Sequence, residues 1–224
     1  MKNARVLNKV LLAATISLCV VFIPPVTLIA GWKSDRENLD HVYIIDNFRI
    51  FYTLEGKNAI TDQTDNNKNN IPDIVEDIAI QLGTANKLYS EVFGFVQPAV
   101  SRRYKDQINS IDVHIMSSEY KGVSGDGIIT YKYRKVKIPA TGALTITISN
   151  KIKAGNLTPA HELTHSYQNS YTMFKNRWFT EGVARWMEYA FKEGTGKQKK
   201  LPDTAYDFEK LLLRTYDAKY FWRQ

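Results

Sequence analysis

Thr158-Pro159-Ala160-His161-Glu162-Leu163-Thr164-His165 is the stretch from which the rest of the chain is best read. Threonine is a good helix cap and proline suits the first helical position, so a helix is predicted from Thr158 to about Ser170. On a helix, residues four apart share a face, so the two imidazoles can reach one metal ion. The stretch fits the pattern H-E-x-x-H. Glu162, one residue after the first histidine, would address a water on that metal as general base, and zinc would lower the pKa of that water to about 7.

A catalytic zinc site takes three protein ligands and leaves the fourth position to water. No histidine follows His165, so the third ligand is expected to be a carboxylate. Glu181, in Trp178-Phe179-Thr180-Glu181-Gly182-Val183-Ala184-Arg185-Trp186, is the first acid after Glu162 and opens an amphipathic helix that Thr180 would cap. Glu188, seven residues on and on roughly the same face, could serve instead, or could brace a zinc-bound histidine.

Working toward the N-terminus, Asp65-Asn66-Asn67-Lys68-Asn69-Asn70-Ile71-Pro72-Asp73-Ile74-Val75-Glu76 is twelve residues long. Oxygen side chains fall at positions 1, 3, 5, 9 and 12 (Asp65, Asn67, Asn69, Asp73 and Glu76), and Ile71 at position 7 would offer its carbonyl. That is the spacing of an EF-hand-type calcium loop. Asn70 stands where glycine is usual, and asparagine also tolerates the left-handed backbone. With only Asp65, Asp73 and Glu76 charged among the ligands, modest affinity is expected, with a structural role for the ion.

The remaining chain reads as strands, then helices. Val42–Ile45 and Phe48–Thr53 are rich in β formers. Pro72 opens a long helix whose Val75, Ile78, Leu82, Ala85, Tyr89 and Val92 form one apolar stripe, ended by Gly94 and Pro98. Ile111–Met116 alternates apolar and polar residues, as a half-exposed strand would. Gly122 to Gly127 reads as a loop, Ile128–Val136 and Ala143–Ser149 as strands, and Thr180–Phe191 and Thr204–Tyr220 as helices. Lys192–Lys200 reads as a basic connector. This order predicts an α+β fold.

The chain has 224 residues, 30 Lys+Arg against 23 Asp+Glu, a formal charge of +7 and one cysteine. Its 44% hydrophobic content supports a packed core, and a single cysteine excludes a disulfide framework. Residues 1–30 hold Lys2, Arg5 and Lys9 but no acid, and 10–30 carry no charge, which is the pattern of a signal peptide or an N-terminal membrane anchor. Pro24 and Pro25 favour the former. Residues 31–41 read as a polar spacer and 42–224 as the folded domain. Without 1–30 the cations fall by three to 27, the balance to +4, and the cysteine (Cys19) is lost. Nucleic acid is therefore not an expected partner.

HELTH followed by the Glu181 of FTEGVARWMEY resembles the gluzincin class of zinc metallopeptidases. The combination with Phe48–Gly56, Asn58–Glu76 and Gly94–Pro98 is similar to a bacterial family of exported metallopeptidases with an EF-hand-like loop, over roughly 48–191. The resemblance implies a zincin-like fold: a mixed or antiparallel N-terminal sheet with a long helix, an active-site helix and a helical C-terminal part. It implies zinc on His161, His165 and Glu181, Glu162 as catalytic base, and a peptide or protein substrate. It also implies a place in the periplasm, the cell envelope or the medium, with a membrane involved only if the N-terminal segment is retained. Three features depart from the pattern. Asn70 replaces the usual glycine; Arg185 stands where some gluzincins place an acid, leaving the histidine orientation unaccounted for; and no residue is assigned to stabilise the oxyanion, with Tyr206, Tyr216, Tyr220 and His114 as candidates. A backbone strand, Ile111–Met116 or Ala143–Ser149, is expected to hold substrate by strand addition. The competing expectation is a non-catalytic envelope protein with the same metal site. The sequence carries no signal of oligomeric state.

Overall fold

The computed structural model describes residues 26–192 and 201–223. Six strands form one mixed sheet: β1 (His41–Ile45), β2 (Phe48–Tyr52), β3 (Ser110–Met116), β4 (Gly122–Ser124), β5 (Ile129–Thr130) and β6 (Gly142–Ser149). The order across it is β1-β2-β3-β6-β4, with β5 also on β6. β1/β2 are antiparallel, β2/β3 and β3/β6 parallel, and β4 and β5 run antiparallel to β6. Six helices accompany the sheet: α1 (Val26–Glu37), α2 (Asp73–Lys87), α3 (Thr158–Tyr171), α4 (Arg177–Met187), α5 (Ala205–Leu212) and α6 (Lys219–Trp222). The α+β expectation holds. Among the described residues no helix is long and apolar enough to cross a membrane.

Side chains alternate across a strand, so each strand feeds two faces. One face carries Phe48 and Ile50 of β2, Ile111, Val113 and Ile115 of β3, and Leu144, Ile146 and Ile148 of β6. α2 and α3 pack on it through Ile74, Val75, Ile78, Leu82, Ala160, Leu163 and Tyr167. α2 follows Pro72 as expected, and its last turn widens over Leu88–Val92 before Gly94 turns the chain at φ +69°.

The other face holds Arg49, Asp112, His114, Thr145 and Thr147, all buried. Every residue of β3 is buried, so the half-exposed reading of Ile111–Met116 is corrected. The alternation is real, but a second layer covers the polar side. Arg49 donates to both Asp112 oxygens at 2.7 and 2.8 Å, and the Tyr133 hydroxyl donates to Asp112 at 2.8 Å. Tyr133 in turn lies 2.8 Å from His114 Nε2 and stacks on Phe51 at 3.8 Å. Burial, together with the charges of Arg36 and Arg49, holds His114 well below the usual imidazole range.

That second layer corrects two further expectations. Residues 31–41 are not a spacer: they end α1 and bury Arg36 and Leu39. Arg36 donates to Thr147 Oγ1 at 2.6 Å and lies over the Trp32 ring. α1 begins at Val26, inside the stretch read as signal or anchor, while residues 1–25, including Cys19, lie outside the described residues. Ile128–Val136 is not one strand either. Only Ile129–Thr130 pairs, and Tyr131 and Tyr133 fold over the polar face instead.

Two changes bear on the site. Gly122–Gly127 is not wholly loop, because Gly122–Ser124 pairs with β6 as the edge strand β4. β3 and β6 are interior strands with both edges paired, so neither is open to strand addition. The predicted Thr204–Tyr220 helix is broken into α5, a tight turn at Tyr216–Ala218 and α6. Most of the Lys192–Lys200 connector, 193–200, lies outside the described residues.

Candidate metal centre

α3 begins one residue earlier in its capping scheme than the sequence suggested. Leu157 is the cap, Thr158 starts the helix and Pro159 follows, while Asn156 Oδ1 accepts from the Thr158 amide and hydroxyl at 3.1 and 2.7 Å. The helix buries Ala160 and Leu163 in the core. The same turns therefore hold His161, Glu162 and His165 on the side of α3 turned from that core, against β4 and α4.

The hydrogen-bond partners fix which ring nitrogen of each histidine carries a proton. His161 Nδ1 lies 2.8 Å from Glu188 Oε1. A carboxylate accepts, so Nδ1 donates and Nε2 keeps its lone pair. His165 Nδ1 lies 2.8 Å from Gln168 Oε1, while Gln168 Nε2 donates to the Thr180 carbonyl at 3.0 Å. A carbonyl can only accept, so the amide oxygen must face His165, and its Nδ1 also donates. Both Nε2 lone pairs then face inward, 3.2 Å apart.

Glu181 Oε2 completes the group, 3.4 Å from His161 Nε2 and 3.7 Å from His165 Nε2. It is buried with no hydrogen-bond partner of its own. Three acceptors thus converge while their donor hydrogens point outward, and a positive charge must sit among them. Without a metal a proton fills that role. Burial works against a charged His161, but Glu181 and Glu188 outweigh it and push its pKa up to about 9. Burial likewise opposes ionised Glu181, and the two imidazoles hold it far below the usual carboxylate range. A tetrahedral ion with ligand bonds of about 2.0–2.1 Å has edges of about 3.3 Å. The observed 3.2, 3.4 and 3.7 Å edges fit it. The group His161, His165 and Glu181 could hold a metal ion.

Glu188 is not at the centre. It braces His161 from behind, and its second oxygen accepts from Arg185 Nη1 at 2.7 Å. The histidine orientation that Arg185 left unaccounted for therefore comes from Glu188 and Gln168. The signal for Gln168 was available in the sequence, because it lies three residues after His165 on the same helix face. α4 starts earlier than expected, at Arg177, and Asn176 caps it rather than Thr180.

Glu162 sits beside the centre, mostly buried. Burial pushes its carboxyl above the usual range, against the pull of His165 and His161, and the Ser124 amide donates to it. β4 lies close enough that a Cβ on Gly122 would come within 2.6 Å of Glu162 Cγ and Oε1. Gly122 and Ser124 are site residues that the sequence reading missed. The Gly125 amide donates to Thr145 and the Ser149 amide to Lys121, so the backbone groups of Gly122 and Ser124 turn away from β6 to the open edge.

A cleft runs across the centre, with one lobe of about 540 Å³ and another of about 350 Å³ that share Tyr120, Gly122, His161, Glu162 and Tyr216. Of the four candidates for oxyanion contact, only Tyr216 lines it. Its ring lies 6.0 Å from that of His161, with the Arg185 and Arg177 guanidinium carbons 5.2 and 5.9 Å from it. Burial and the Glu181 charge raise its hydroxyl pKa. Tyr206 is exposed on α5, Tyr220 lies on α6 away from the lining, and His114 belongs to the buried layer across the sheet.

The second predicted ion site has a different character. Lys68 and Asn70 take φ of +59° and +67°, so asparagine does supply the left-handed turn. Asp65 accepts the amides of Asn69 and Asn70 at 3.1 and 2.8 Å, and Asp73 accepts that of Asn66 at 3.1 Å. Glu76 accepts from the side-chain amides of Asn67 and Asn69 at 3.0 and 2.7 Å. Ile71 donates its amide to Asn69 Oδ1. The residues at positions 1, 3, 5 and 12 gather, but their carboxylates are occupied by the loop's own N–H groups. Comparison with family models, curated proteins and solved structures returns no match for the chain.

Proposed function

We propose that this chain is a zinc-dependent peptidase with a zincin-like arrangement, exported or held at the cell envelope. The observation that supports it best is the convergence of two imidazole lone pairs and an unpartnered carboxylate oxygen beside a buried glutamate, in a cleft. Bound by His161, His165 and Glu181, a zinc ion would polarise a substrate carbonyl and acidify water.

The chain's own residues supply the rest. Glu162 takes the proton of the attacking water and passes it to the leaving amine, a task suited to a carboxyl raised above its usual range. The open edge of β4 pairs with substrate backbone through Gly122 and the Ser124 carbonyl, a role the interior strands β3 and β6 cannot take. Tyr216 donates its hydroxyl to the developing oxyanion. Glu188 and Gln168 keep both Nε2 lone pairs inward. The Asp65–Glu76 loop binds calcium weakly and stiffens the entry to α2.

Glu162→Gln tests the reading. Metal content of the purified protein should stay at one equivalent, and cleavage of a broad peptide library should fall by about 10²–10⁴-fold. A wild-type protein that holds zinc yet cleaves nothing in the library would favour the non-catalytic envelope protein.

A further inference from the structure

The larger lobe of the cleft carries a charge pattern that peptide hydrolysis itself does not require. Lys121 enters from the β4 side, and Arg185 and Lys192 from α4 and the turn after it. Its two carboxylates are already engaged. Glu188 gives one oxygen to His161 and the other to Arg185, and Glu162 faces the metal centre and the Ser124 amide. No ion pair joins Lys121 or Lys192 to a carboxylate of the described residues, and both side chains are exposed.

The smaller lobe differs. Its cation is Arg177, which lies 3.8 Å from Glu181 Oε1 and so already has an acid. The two sides of the metal centre are therefore electrostatically unequal. One is balanced and the other presents two lysines, with a paired arginine behind them, within a concave wall that strengthens their field.

Lys121 directly precedes Gly122, whose open edge would pair with substrate. A residue bound there presents its neighbour's side chain about 3.3 Å further along the strand. Resting on the peptidase reading above, we propose that the larger lobe selects a substrate carboxylate close to the scissile bond, held by Lys121 and Lys192. That carboxylate belongs either to an Asp or Glu side chain or to the substrate's own C-terminus.

The test uses the full chain, zinc-loaded, with Glu162→Gln so that binding is read without turnover. Fluorescent decapeptides carry a single Glu, Ala or Lys at each position in turn, with free or amidated C-termini, and anisotropy reports Kd. The Glu peptides, or the free-carboxyl peptides, should bind at least about tenfold tighter than their Lys or amidated counterparts at one position. The preference should shrink severalfold between about 0.05 and 0.5 M salt. Lys121→Glu and Lys192→Glu should each weaken it about three- to tenfold with unchanged thermal melting, since both are exposed. A preference at an internal position assigns the side chain; one abolished by amidation assigns the terminus.

Binding or wild-type cleavage that is indifferent to charge would overturn the inference and leave the peptidase reading standing. Charge-selective binding without cleavage by the wild type would keep the inference and remove the peptidase. If peptides of no class bind, the inference is lost.

Discussion

The two ion sites anticipated from the sequence are built on opposite principles. Between α3 and α4 the three candidate ligands are set before any ion arrives: each histidine is tied from behind, by Glu188 or Gln168, and Glu181 Oε2 is left with no hydrogen-bond partner. In the Asp65–Glu76 loop the same kinds of oxygen are satisfied by local amides, and Asn67 and Asn69 offer nitrogen rather than oxygen to Glu76. The first site needs a bound proton or a metal ion to satisfy itself, and the second does not. The difference comes from the backbone. A helix cannot bend its side chains back onto its own bonded amides, whereas a turn exposes N–H groups to every nearby carboxylate.

The comparison breaks most sharply at the third ligand. Glu181→Ala should strip the metal under dialysis that leaves the wild type loaded, with turnover lost as a consequence. Glu188→Gln removes a brace and not a ligand, so metal affinity should drop about 10–100-fold, with metal recovered at higher zinc. Metal content against free zinc, measured for both variants, ranks the two glutamates. Equal losses, or a larger loss at Glu188, would mean that the wrong carboxylate has been placed at the centre.

How far each region was legible follows the range over which its residues interact. His161, Glu162 and His165 need only one helical turn, so spacing was enough. Glu181 could be found by elimination among few acids. Spacing also pointed to Glu188, seven residues after Glu181 on roughly the same face, but left two roles open; only its contact with His161 across 27 positions selects the brace. β4 was missed because Gly-Val-Ser has little β propensity and forms a strand only against the finished edge of β6. Residues 31–41 were misread for a related reason. Arg36 is polar by composition yet buried, because Trp32 and Thr147 receive its guanidinium. Tyr131 and Tyr133 suit a strand by propensity, but they fold over the polar face of the sheet instead, where their hydroxyls meet Thr145 of β6 and Asp112 of β3.

Gly122 sharpens the account of preorganisation. A methyl group there would overlap Glu162 and Thr158, both parts of α3, while the strand itself is held by β6. Gly122→Ala should therefore push the Glu162 carboxylate away from its working position. Displacements near 1 Å cost about 10²-fold in rate. Metal content should not change, because the atoms nearest the new group belong to Thr158 and Glu162 and not to His161, His165 or Glu181. A kcat that falls while zinc stays bound would tie β4 to the positioning of the base; parallel loss of both would point to a general disturbance of α3.

The smallest effect belongs to the loop, and its direction is the informative part. To take up calcium, the side-chain amides of Asn67 and Asn69 must turn over so that oxygen faces the ion, and Glu76 must exchange two N–H donors for it. Those bonds offset much of the gain, which places the affinity near the weak end for such loops, about 10⁻⁴–10⁻³ M. At about 10 mM calcium that corresponds to roughly 1.4–2.7 kcal/mol of added stability. For a chain of this size the melting temperature should rise by a few degrees. Glu76→Gln should abolish the shift while leaving zinc content untouched, because the loop shares no residue with the α3 centre. A loop that bound calcium as tightly as a preformed site would show that its amide network is not a competing solution but an ion cage already in its working shape.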